Sequence, residues 1–422
     1  MSGVAQNAVA ERVHKWLGEL PSGWRGARLL EVSDAWTSNV DKHTVEGQPP
    51  VRLCNYVDVY QNDSIVDSLD FMVATATREQ IKRFRVRVGD TLITKDSETA
   101  DDIGIPAFVE YEAKDLICGY HLAIVRPDRR KAVPKFLYWV LRSEPIARQW
   151  GVTAAGVTRV GIRSTDLNKV TIPLPPLDEQ SAVAGFLDYE TAQIDALVAK
   201  QEELLTLLAE RRRSVLDRVL SEVGGERRRL RWLYRSSSVA NKPNEEVLSV
   251  YRDHGVIPKA SRSDNFNKTP ENVDRYLLVR PHDLVVNKMK AWQGSLGVSA
   301  HRGIVSGDYE VLRPTTLDLD PDFAHFILRS PELILEYRVR SRGIRPSQWR
   351  LYWQDLADIS VAVPPLAEQR SAASRIKTET DAIDSLIAQA REHIAFAKER
   401  RSALITAAVT GQIDVRTAWT AG

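Results

Sequence analysis

The stretch Pro175–Gln180, which reads PPLDEQ, returns at Pro364–Gln369 as PPLAEQ. The offset between the two copies is 189 residues, 364 minus 175. The same offset aligns further pairs downstream, namely Glu190-Thr191 with Glu379-Thr380, Ile194-Asp195 with Ile383-Asp384, Leu197 with Leu386, and Glu210-Arg211-Arg212 with Glu399-Arg400-Arg401. One register that holds for about thirty-five residues indicates a duplicated module.

The duplication also reaches upstream, with small changes of offset where loops differ in length. The matching positions are Arg126-Pro127 with Arg313-Pro314 and Phe136 with Phe323 at an offset of 187, and Asp90 and Lys95 with Asp283 and Lys288 at an offset of 193. The chain of 422 residues therefore contains two copies of one module, each a globular region followed by a helix.

The pattern after each Pro-Pro-Leu predicts a long helix. Asp178 is the expected cap, proline is absent as far as Leu220, and Gly224-Gly225 is the expected stop. Apolar residues recur at threes and fours along it, at Ile194, Leu197, Leu204, Leu208, Val215 and Val219. The second copy has the same pattern up to Gly411, at Ile376, Ile383, Leu386, Ala390, Ala397 and Leu404.

Each helix would span about 60 Å at 1.5 Å per residue, too long to bury such a stripe alone. We therefore expect the two helices to pack on each other, antiparallel, because the repeat then closes with approximate two-fold symmetry.

The globular regions are predicted to be of class α+β, with short strands between Gly, Pro, Asn and Asp turns. The expected strands are Val57–Tyr60, Arg83–Val88, Thr91–Thr94, Leu277–Val279 and Asp283–Val286, and the expected short helices are Phe136–Arg142 and Phe323–Arg329. The predicted segments are an N-terminal segment 1–20, a first domain 21–174, a first spacer helix 175–225, a second domain 226–363, a second spacer helix 364–411 and a tail 412–422.

Composition adds only broad limits. The net charge is +2, from 58 basic and 56 acidic residues, so bulk charge alone does not indicate a nucleic-acid partner. Cys54 and Cys118 are too few for a disulfide framework and lack zinc-site spacing. Met1–Leu20 carries charges and the chain has no run of about 18 uncharged apolar residues, so we expect a cytoplasmic protein without a membrane segment.

Two globular regions that alternate with two similar long helices, each introduced by Pro-Pro-Leu-x-Glu-Gln, resemble the specificity subunit of type I restriction-modification systems. Further segments resemble the target-recognition domains of that family: LPSGW at Leu20–Trp24, KMKAWQG at Lys288–Gly294, GIVS at Gly303–Ser306 and GIR at Gly343–Arg345. The resemblance covers nearly the whole chain. The first copy departs from it near Lys95–Ala100, where nothing similar to the KMKAW segment occurs.

The resemblance implies a non-catalytic, DNA-binding subunit that reads a bipartite site on double-stranded DNA, one half per recognition domain. It also implies that the helices dock two methyltransferase subunits, joined by two restriction subunits that translocate DNA. S-adenosylmethionine, ATP and Mg²⁺ would be bound by those partners, with no cofactor or metal held by this chain. The repeated Pro-Pro-Leu-x-Glu-Gln residues are the partner-binding candidates: Leu177, Glu179, Gln180, Leu366, Glu368 and Gln369.

Candidate base-reading residues in the second domain lie in two polar loops next to glycines. Lysine, arginine and glutamine side chains hydrogen-bond to base edges, and tryptophan packs on a sugar or base. The candidates are Lys288, Lys290, Trp292 and Gln293 in one loop, and Arg342, Arg345 and Gln348 in the other. The competing interpretation of the first loop is a basic surface turn with a core tryptophan.

The first domain offers Thr158, Arg159 and Arg163 around Gly156 and Gly161. Lys95, Lys114 and His121 are weaker candidates for DNA contact. Arg227-Arg228-Arg229 with Arg231, after the first helix, would hold a phosphate or form a solvated linker.

Two rival functions remain at this stage. Asp102 with Glu112 and Lys114 imitates the carboxylate and lysine spacing of Mg²⁺-dependent nucleases, which would make the chain a stand-alone enzyme. The other rival is a scaffold whose globular ends bind proteins. Phosphate-loop, amino-methyltransferase and His-Glu-x-x-His signatures are absent from the sequence.

Overall fold

The structure, a computed structural model, describes residues 11, 13–252, 254–262 and 269–415. The chain forms two compact units, one made of residues 1–201 with 392–422 and the other of residues 202–391. We call them unit 1 and unit 2. Each contains one globular region together with parts of both long helices. No helix in the described ranges combines the length and the apolar character needed to cross a membrane.

Both predicted long helices are present, the first at Leu177–Glu222 and the second at Leu366–Val409. The prediction that Asp178 caps the first helix is wrong, because the N–H of Gln180 already donates to the carbonyl of Pro176 at 2.9 Å. Asp178 lies in the first turn, where its charge favours the positive end of the helix. The stop signals are confirmed, since Gly225 and Gly411 follow the two helices with positive φ angles of 137° and 74°.

In unit 2 the two helices run antiparallel and are joined by ion pairs. The Nε atom of Arg212 lies 2.9 Å from Asp384. Ten residues further along the first helix, Glu222 pairs with Arg375 at 2.8 Å, so the partner position has moved back by nine residues. This reversed order confirms the predicted direction within this unit.

Unit 1 contains the repeat-related counterpart of the first of those pairs. The Nε atom of Arg401 on the second helix lies 2.9 Å from Asp195 on the first helix. Arg401 and Asp195 align with Arg212 and Asp384 at the repeat offset of 189. The same arginine and aspartate positions therefore pair in both units with the roles of the two helices exchanged, as the sequence repeat predicts.

The expectation that the whole apolar stripe is buried is wrong at several positions. Val215, Val219 and Ile376 lie in the core of unit 2, where the globular region packs on them. In contrast, Leu197, Leu204 and Leu386 are 50%, 40% and 49% exposed. A straight helix has 3.6 residues per turn, so a stripe with a period near 3.5 rotates out of a helix–helix contact.

Unit 1 contains a five-stranded sheet, which orders its strands as Ser33–Thr37, Leu122–Pro127, Thr91–Thr94, Pro106–Val109 and Ser64–Ile65. A three-stranded sheet has the order Met72–Thr75, Pro50–Cys54 and Leu116–Cys118. Two-stranded pairs are Arg25–Arg28 with Thr171–Leu174 and Asp96–Ser97 with Val160–Gly161. The short helices are Tyr56–Gln61, Arg78–Phe84, Pro134–Arg142, Glu144–Thr153 and Ser164–Leu167.

Unit 2 repeats this design in a smaller form. Its four-stranded sheet has the order Tyr234–Ser236, Tyr309–Pro314, Leu284–Asn287 and Leu296–Val298, which matches the first four strands of the sheet in unit 1. Two-stranded pairs are Glu226–Arg229 with Ser360–Val363, Leu248–Tyr251 with Gly255–Pro258, and Leu277–Val279 with Gly303–Val305. The short helices are Leu230–Leu233, Pro321–Ile327, Pro331–Arg340 and Trp353–Ala357. The predicted α+β class is confirmed.

One predicted strand is helical, and a second is replaced by the end of a helix followed by an irregular segment. Val57–Tyr60 lies in the helix Tyr56–Gln61, which begins with a contact from the N–H of Asn55 to the carboxylate of Asp58 at 2.7 Å. Arg83 and Phe84 end the helix Arg78–Phe84, and Arg85 makes only an isolated bridge to Ile117. Local capping therefore overrides the β-propensity of these runs.

One buried ion pair occurs in both units. Asp90 accepts hydrogen bonds from Arg126 at 2.6 and 2.7 Å, and Asp283 accepts from Arg313 at 3.1 and 3.2 Å. Both aspartates are almost completely buried and lie directly before the strands that begin at Thr91 and Leu284. The pair therefore joins two neighbouring strands of the main sheet in each unit.

The glutamines of the repeated hexapeptide are internal, which corrects their assignment as partner-binding residues. Gln180 is buried, accepts from the N–H of Val133 at 2.8 Å, and donates to the carbonyls of Lys131 and Pro175. Gln369 repeats this arrangement with the N–H of Asp320 at 2.7 Å and the carbonyls of Asp318 and Pro364. These amides fix the beginning of each long helix to its globular region.

Gln180→Ala and Gln369→Ala are expected to lower the free energy of unfolding by about 2 to 4 kcal/mol each, because each leaves buried backbone groups without a partner. Urea unfolding followed by circular dichroism measures this. The matched controls are the exposed neighbours Asp178→Ala and Glu368→Ala, with expected losses below about 1 kcal/mol. Equal losses in all four variants would contradict the anchoring role.

Unit 2 also contains a buried histidine. Burial, followed by the nearby Arg329, lowers the pKa of His325 to about 4. The Nδ1 atom of His325 lies 3.3 Å from the carbonyl of Val298, and Arg329 contacts its Nε2 atom at 2.7 Å. Since the unfolded chain takes up a proton at higher pH than the folded unit, unit 2 loses stability as pH falls from about 6.5 towards 4.

Between pH 7 and pH 5, this single histidine is expected to cost about 2 kcal/mol of unfolding free energy. His325→Gln should remove that part of the pH dependence, whereas the exposed His14→Gln should retain it. Chemical unfolding at the two pH values provides the measurement. An unchanged pH dependence in His325→Gln would contradict the assignment.

Candidate nucleic-acid interface

Three segments of unit 1 meet at Lys95, directly after the strand Thr91–Thr94. The N–H of Lys95 donates to the carbonyl of His121 at 3.0 Å, and its carbonyl accepts from the N–H of Ile162 at 2.8 Å. Ile162 follows a loop that is closed by an antiparallel bridge between Ala155 and Gly161. We call this meeting point the junction of unit 1. It brings together the predicted loop at 156–163 and the weaker candidates Lys95 and His121.

Unit 2 has the same junction. The N–H of Lys288 donates to the carbonyl of Asp308 at 3.1 Å, and the carbonyl of Lys288 accepts from the N–H of Leu351 at 2.9 Å. The loop before Leu351 is closed by a bridge between Arg342 and Arg350. The two predicted polar loops of the second domain, at Lys288–Gln293 and Arg342–Gln348, are therefore neighbours despite their separation in sequence.

The candidate side chains in the first loop of unit 2 differ in their environment. The ammonium group of Lys288 donates to the carbonyl of Gly307 at 2.7 Å and is half-buried, whereas Lys290 and Gln293 are exposed. The indole N–H of Trp292 donates to the carbonyl of Met289 at 3.0 Å. The ring of Trp292 meets the ring of Trp349 edge-on, with centroids 5.4 Å apart. Trp292 is thus half-buried and joins the two loops. It is neither a fully buried core tryptophan nor a fully exposed DNA contact.

The second loop of unit 2 presents polar groups to solvent. Arg342, Arg345 and Gln348 are all exposed. Arg342 pairs with Asp355 at 2.5 Å while its side chain remains 74% exposed. These three residues stay predicted DNA contacts.

In unit 1 the junction has a different set of side chains. Thr158, Arg159 and Arg163 are exposed, as a contact surface requires. Lys95 is only 14% exposed, and its ammonium group lies 4.3 Å from the ring centroid of Tyr120 and 3.9 Å from Asp96. Lys95 therefore contributes to the packing of the junction as well as to its charge.

Several residues of these junctions are not among the candidates predicted from the sequence. Asp96 and Tyr120 surround His121 in unit 1, while Asp308, Trp349 and Arg350 line the junction of unit 2. The sequence did contain one signal for these residues, which is the upstream alignment of Lys95 with Lys288. That alignment indicates that the residues around the two lysines occupy equivalent positions.

The loop of unit 1 depends on a glycine. A Cβ atom on Gly156 would lie 1.7 Å from the carbonyl oxygen of Arg159, so no larger residue fits without moving the backbone. In unit 2, a Cβ atom on Gly343 would lie 2.7 Å from the carbonyl oxygen of Gln348. A tight turn therefore presents the exposed cations in both units.

The arginine cluster after the first helix is engaged with the protein itself. Arg228 pairs with Asp318 at 2.9 Å, and Arg229 lies 3.5 Å from Asp358, which also contacts Arg231. Arg227 donates to the carbonyl of Ser360 at 3.0 Å. The linker interpretation is wrong because this segment forms the strand Glu226–Arg229, and these contacts explain its charge without a phosphate.

The residues of the possible nuclease site have separate partners. Asp102 accepts from the hydroxyl of Tyr60 at 2.9 Å, which raises the pKa of Tyr60. Glu112 accepts from the N–H of Val88 at 2.9 Å. Across the described part of the chain, no three His, Cys, Asp or Glu side chains are grouped so that they could hold a metal ion. The geometry therefore does not favour the nuclease hypothesis.

The other partner-binding candidates lie at the beginnings of the long helices. Leu177, Leu366 and Glu368 are exposed and remain predictions. Glu179 is half-buried and accepts from the indole N–H of Trp24 at 2.8 Å. That contact joins the helix to the LPSGW segment.

Comparison with known proteins adds independent information. The family model described as type I restriction modification DNA specificity domain matches residues 58–206. The chain is 22% identical to the putative type I restriction enzyme MjaX specificity subunit of Methanocaldococcus jannaschii, over 95% of this chain and 96% of that protein. It is 23% identical to the type I restriction enzyme EcoDI specificity subunit of Escherichia coli, over 94% and 90%.

Among solved structures, one similar chain comes from work on complex assembly and conformational transition of the type I R-M system. It is 19% identical, covers 94% of this chain and 100% of its own length, and superimposes with a TM-score of 0.64. This similarity supports the observed fold.

Gly156→Ala is expected to displace the loop of unit 1 and to weaken binding of the chain to DNA about tenfold, or ~1.4 kcal/mol. Gly185→Ala is the matched control, since a Cβ atom there meets nothing within 4 Å. Because alanine favours a helix interior over glycine, Gly185→Ala should raise the free energy of unfolding by up to about 1 kcal/mol. Its affinity for DNA should be unchanged. Fluorescence anisotropy with a DNA duplex gives the affinities, and equal affinity of the two variants would contradict a binding role for the loop.

Proposed function

Because this chain belongs to the family of type I restriction-modification specificity subunits, we propose that it reads a split site on double-stranded DNA, one half with each unit. The observation that carries this proposal is the repeated junction. A loop with exposed polar and cationic side chains meets a lysine-bearing strand end in both units. Phosphate contacts position such a surface, and contacts to base edges provide sequence information.

The long helices have a second role in this proposal, which is to bind the methyltransferase subunits. Leu197 and Phe396 in unit 1, and Leu207 and Leu386 in unit 2, are apolar and about half exposed. Large apolar side chains in contact with water are typical of a surface that a partner covers. We propose two methyltransferase subunits because the helices repeat, and two restriction subunits that join the same assembly.

In this proposal the chain is a non-catalytic subunit. Its partners bind S-adenosylmethionine, ATP and Mg²⁺, and the complex acts in the cytoplasm, where the DNA is. The separate partners of Asp102 and Glu112 support a recognition role rather than a nuclease. A protein-binding scaffold is a weaker alternative, because its globular ends would not need two equivalent polar junctions.

Mapping of methylated adenines tests the function directly. The full chain is produced with its methyltransferase partner in a host that lacks other adenine methylation, and the genome is sequenced with methylation detection. The expected result is one motif made of two short specified parts with an unspecified gap. Methylation without sequence preference would support the scaffold alternative, and Mg²⁺-dependent cutting by the isolated chain, abolished by Glu112→Gln, would support the nuclease.

Exchange of residues 230–360 for the same region of another family member is expected to change one half of the motif and to leave the other half intact. The reason is that each unit has its own core and its own junction. The same methylation mapping measures the outcome. A change in both halves would contradict independent reading by the two units.

A further inference from the structure

The two junctions share their backbone but differ in their side chains. His121 and Asp308 occupy equivalent positions, because the carbonyl of each accepts from the N–H of the corresponding lysine, Lys95 or Lys288. A histidine in one unit is thus replaced by an aspartate in the other. A constant backbone with different polar groups is what two readers of different sequences require.

In unit 1, the histidine ring is held in one orientation. The Nδ1 atom of His121 lies 2.9 Å from the carboxylate of Asp96. Since a carboxylate only accepts hydrogen bonds, Nδ1 is the donor in this contact. The ring of Tyr120 meets His121 edge-on at 4.7 Å between centroids. The side chain of His121 nevertheless remains 40% exposed.

Asp96 is in turn fixed by the loop. A Cβ atom on Gly161 would lie 2.8 Å from the Oδ1 atom of Asp96, so the backbone of the loop passes directly against this carboxylate. The strand Asp96–Ser97 pairs with Val160–Gly161. The orientation of His121 is therefore coupled to the same loop that carries Arg159.

The charges around His121 also indicate on which side the DNA backbone lies. Tyr120 and His121 border an open cleft of about 600 Å³ whose other charged lining residues are Asp41, Lys42, Asp58 and Asp70. Three carboxylates against one lysine disfavour a phosphate in this cleft. The exposed cation Arg159 is on the loop of the junction, so we expect phosphates to approach from the loop side.

We propose that His121 determines the base pair read at one position of the half-site of unit 1, and that Asp96 is its positioning residue. With Nδ1 directed at Asp96, Nε2 is the ring nitrogen left for a base edge, where it can accept a hydrogen bond from an exocyclic amino group in the major groove. Base pairs differ in where they place that amino group, so a fixed acceptor discriminates between them. This inference rests on the proposed function, since it assumes that unit 1 reads DNA.

The test uses the full chain in its complex with the methyltransferase partner, with methylated adenines mapped as above. His121→Ala and Asp96→Asn should both relax the same single position in one half of the motif, by roughly tenfold to a hundredfold in selectivity. The other half of the motif should be unchanged. Asp308→Ala should leave that position intact, because it belongs to unit 2.

His43→Ala is the matched control. His43 also contacts a carboxylate, that of Asp41 at 3.4 Å, but it belongs to no part of the junction. The methylation motif of the His43→Ala variant should equal that of the unaltered chain. His121→Gln provides a second variant at the test position if removal of the ring impairs folding, since it keeps a polar side chain there.

The outcomes distinguish failure of the proposed function from failure of the role of His121. If the unaltered chain gives no split motif, the proposed function fails. If it gives a split motif that His121→Ala and Asp96→Asn leave unchanged, only the present inference is overturned. Loss of all methylation in both His121→Ala and His121→Gln would also overturn it, because a base-reading residue of one unit leaves folding and the other half-site intact.

Discussion

The structure depends on the buried amides of Gln180 and Gln369. Each amide satisfies one backbone N–H and two carbonyls at the point where a globular region meets the beginning of a long helix. Such groups would otherwise be buried without partners, at a cost of about 1 to 3 kcal/mol each. The amides therefore give each helix a defined starting direction, and the ion pairs Arg401–Asp195 and Arg212–Asp384 then join the helices within each unit.

The two units use this common scaffold for different surfaces. Their main sheets share the order of four strands and the same buried pair of an aspartate with an arginine. The backbone contacts of Lys95 and Lys288 are repeated as well. What differs is the polar chemistry presented at the junction, where a histidine held by a carboxylate in one unit corresponds to an aspartate in the other. Under the proposed function, specificity would depend on these junction side chains, while the sheet and its buried ion pair provide the common scaffold.

Several elements differ from their sequence-based predictions for clear physical reasons. The run Val57–Tyr60 has strong β-propensity, but only Val59 is buried, and the capping contact of Asn55 with Asp58 supports a helix instead. The pair Thr77 and Gln80 fits the capping-box spacing, so the helix Arg78–Phe84 was predictable from the sequence. The exposure of Leu197 and Leu204 was not, because an apolar stripe does not tell which of its members a neighbour covers.

The sequence by itself determined the duplication, the two long helices with their glycine stops, and the α+β class, because these follow from periodicity and from local backbone preferences. Only the tertiary structure decided which polar residues are internal and which reach solvent. It turned Gln180 and Gln369 inward, paired Arg228 with Asp318, and brought Asp96 to His121. Contacts between residues far apart in sequence decide these outcomes, and such contacts leave no periodic signal in the chain.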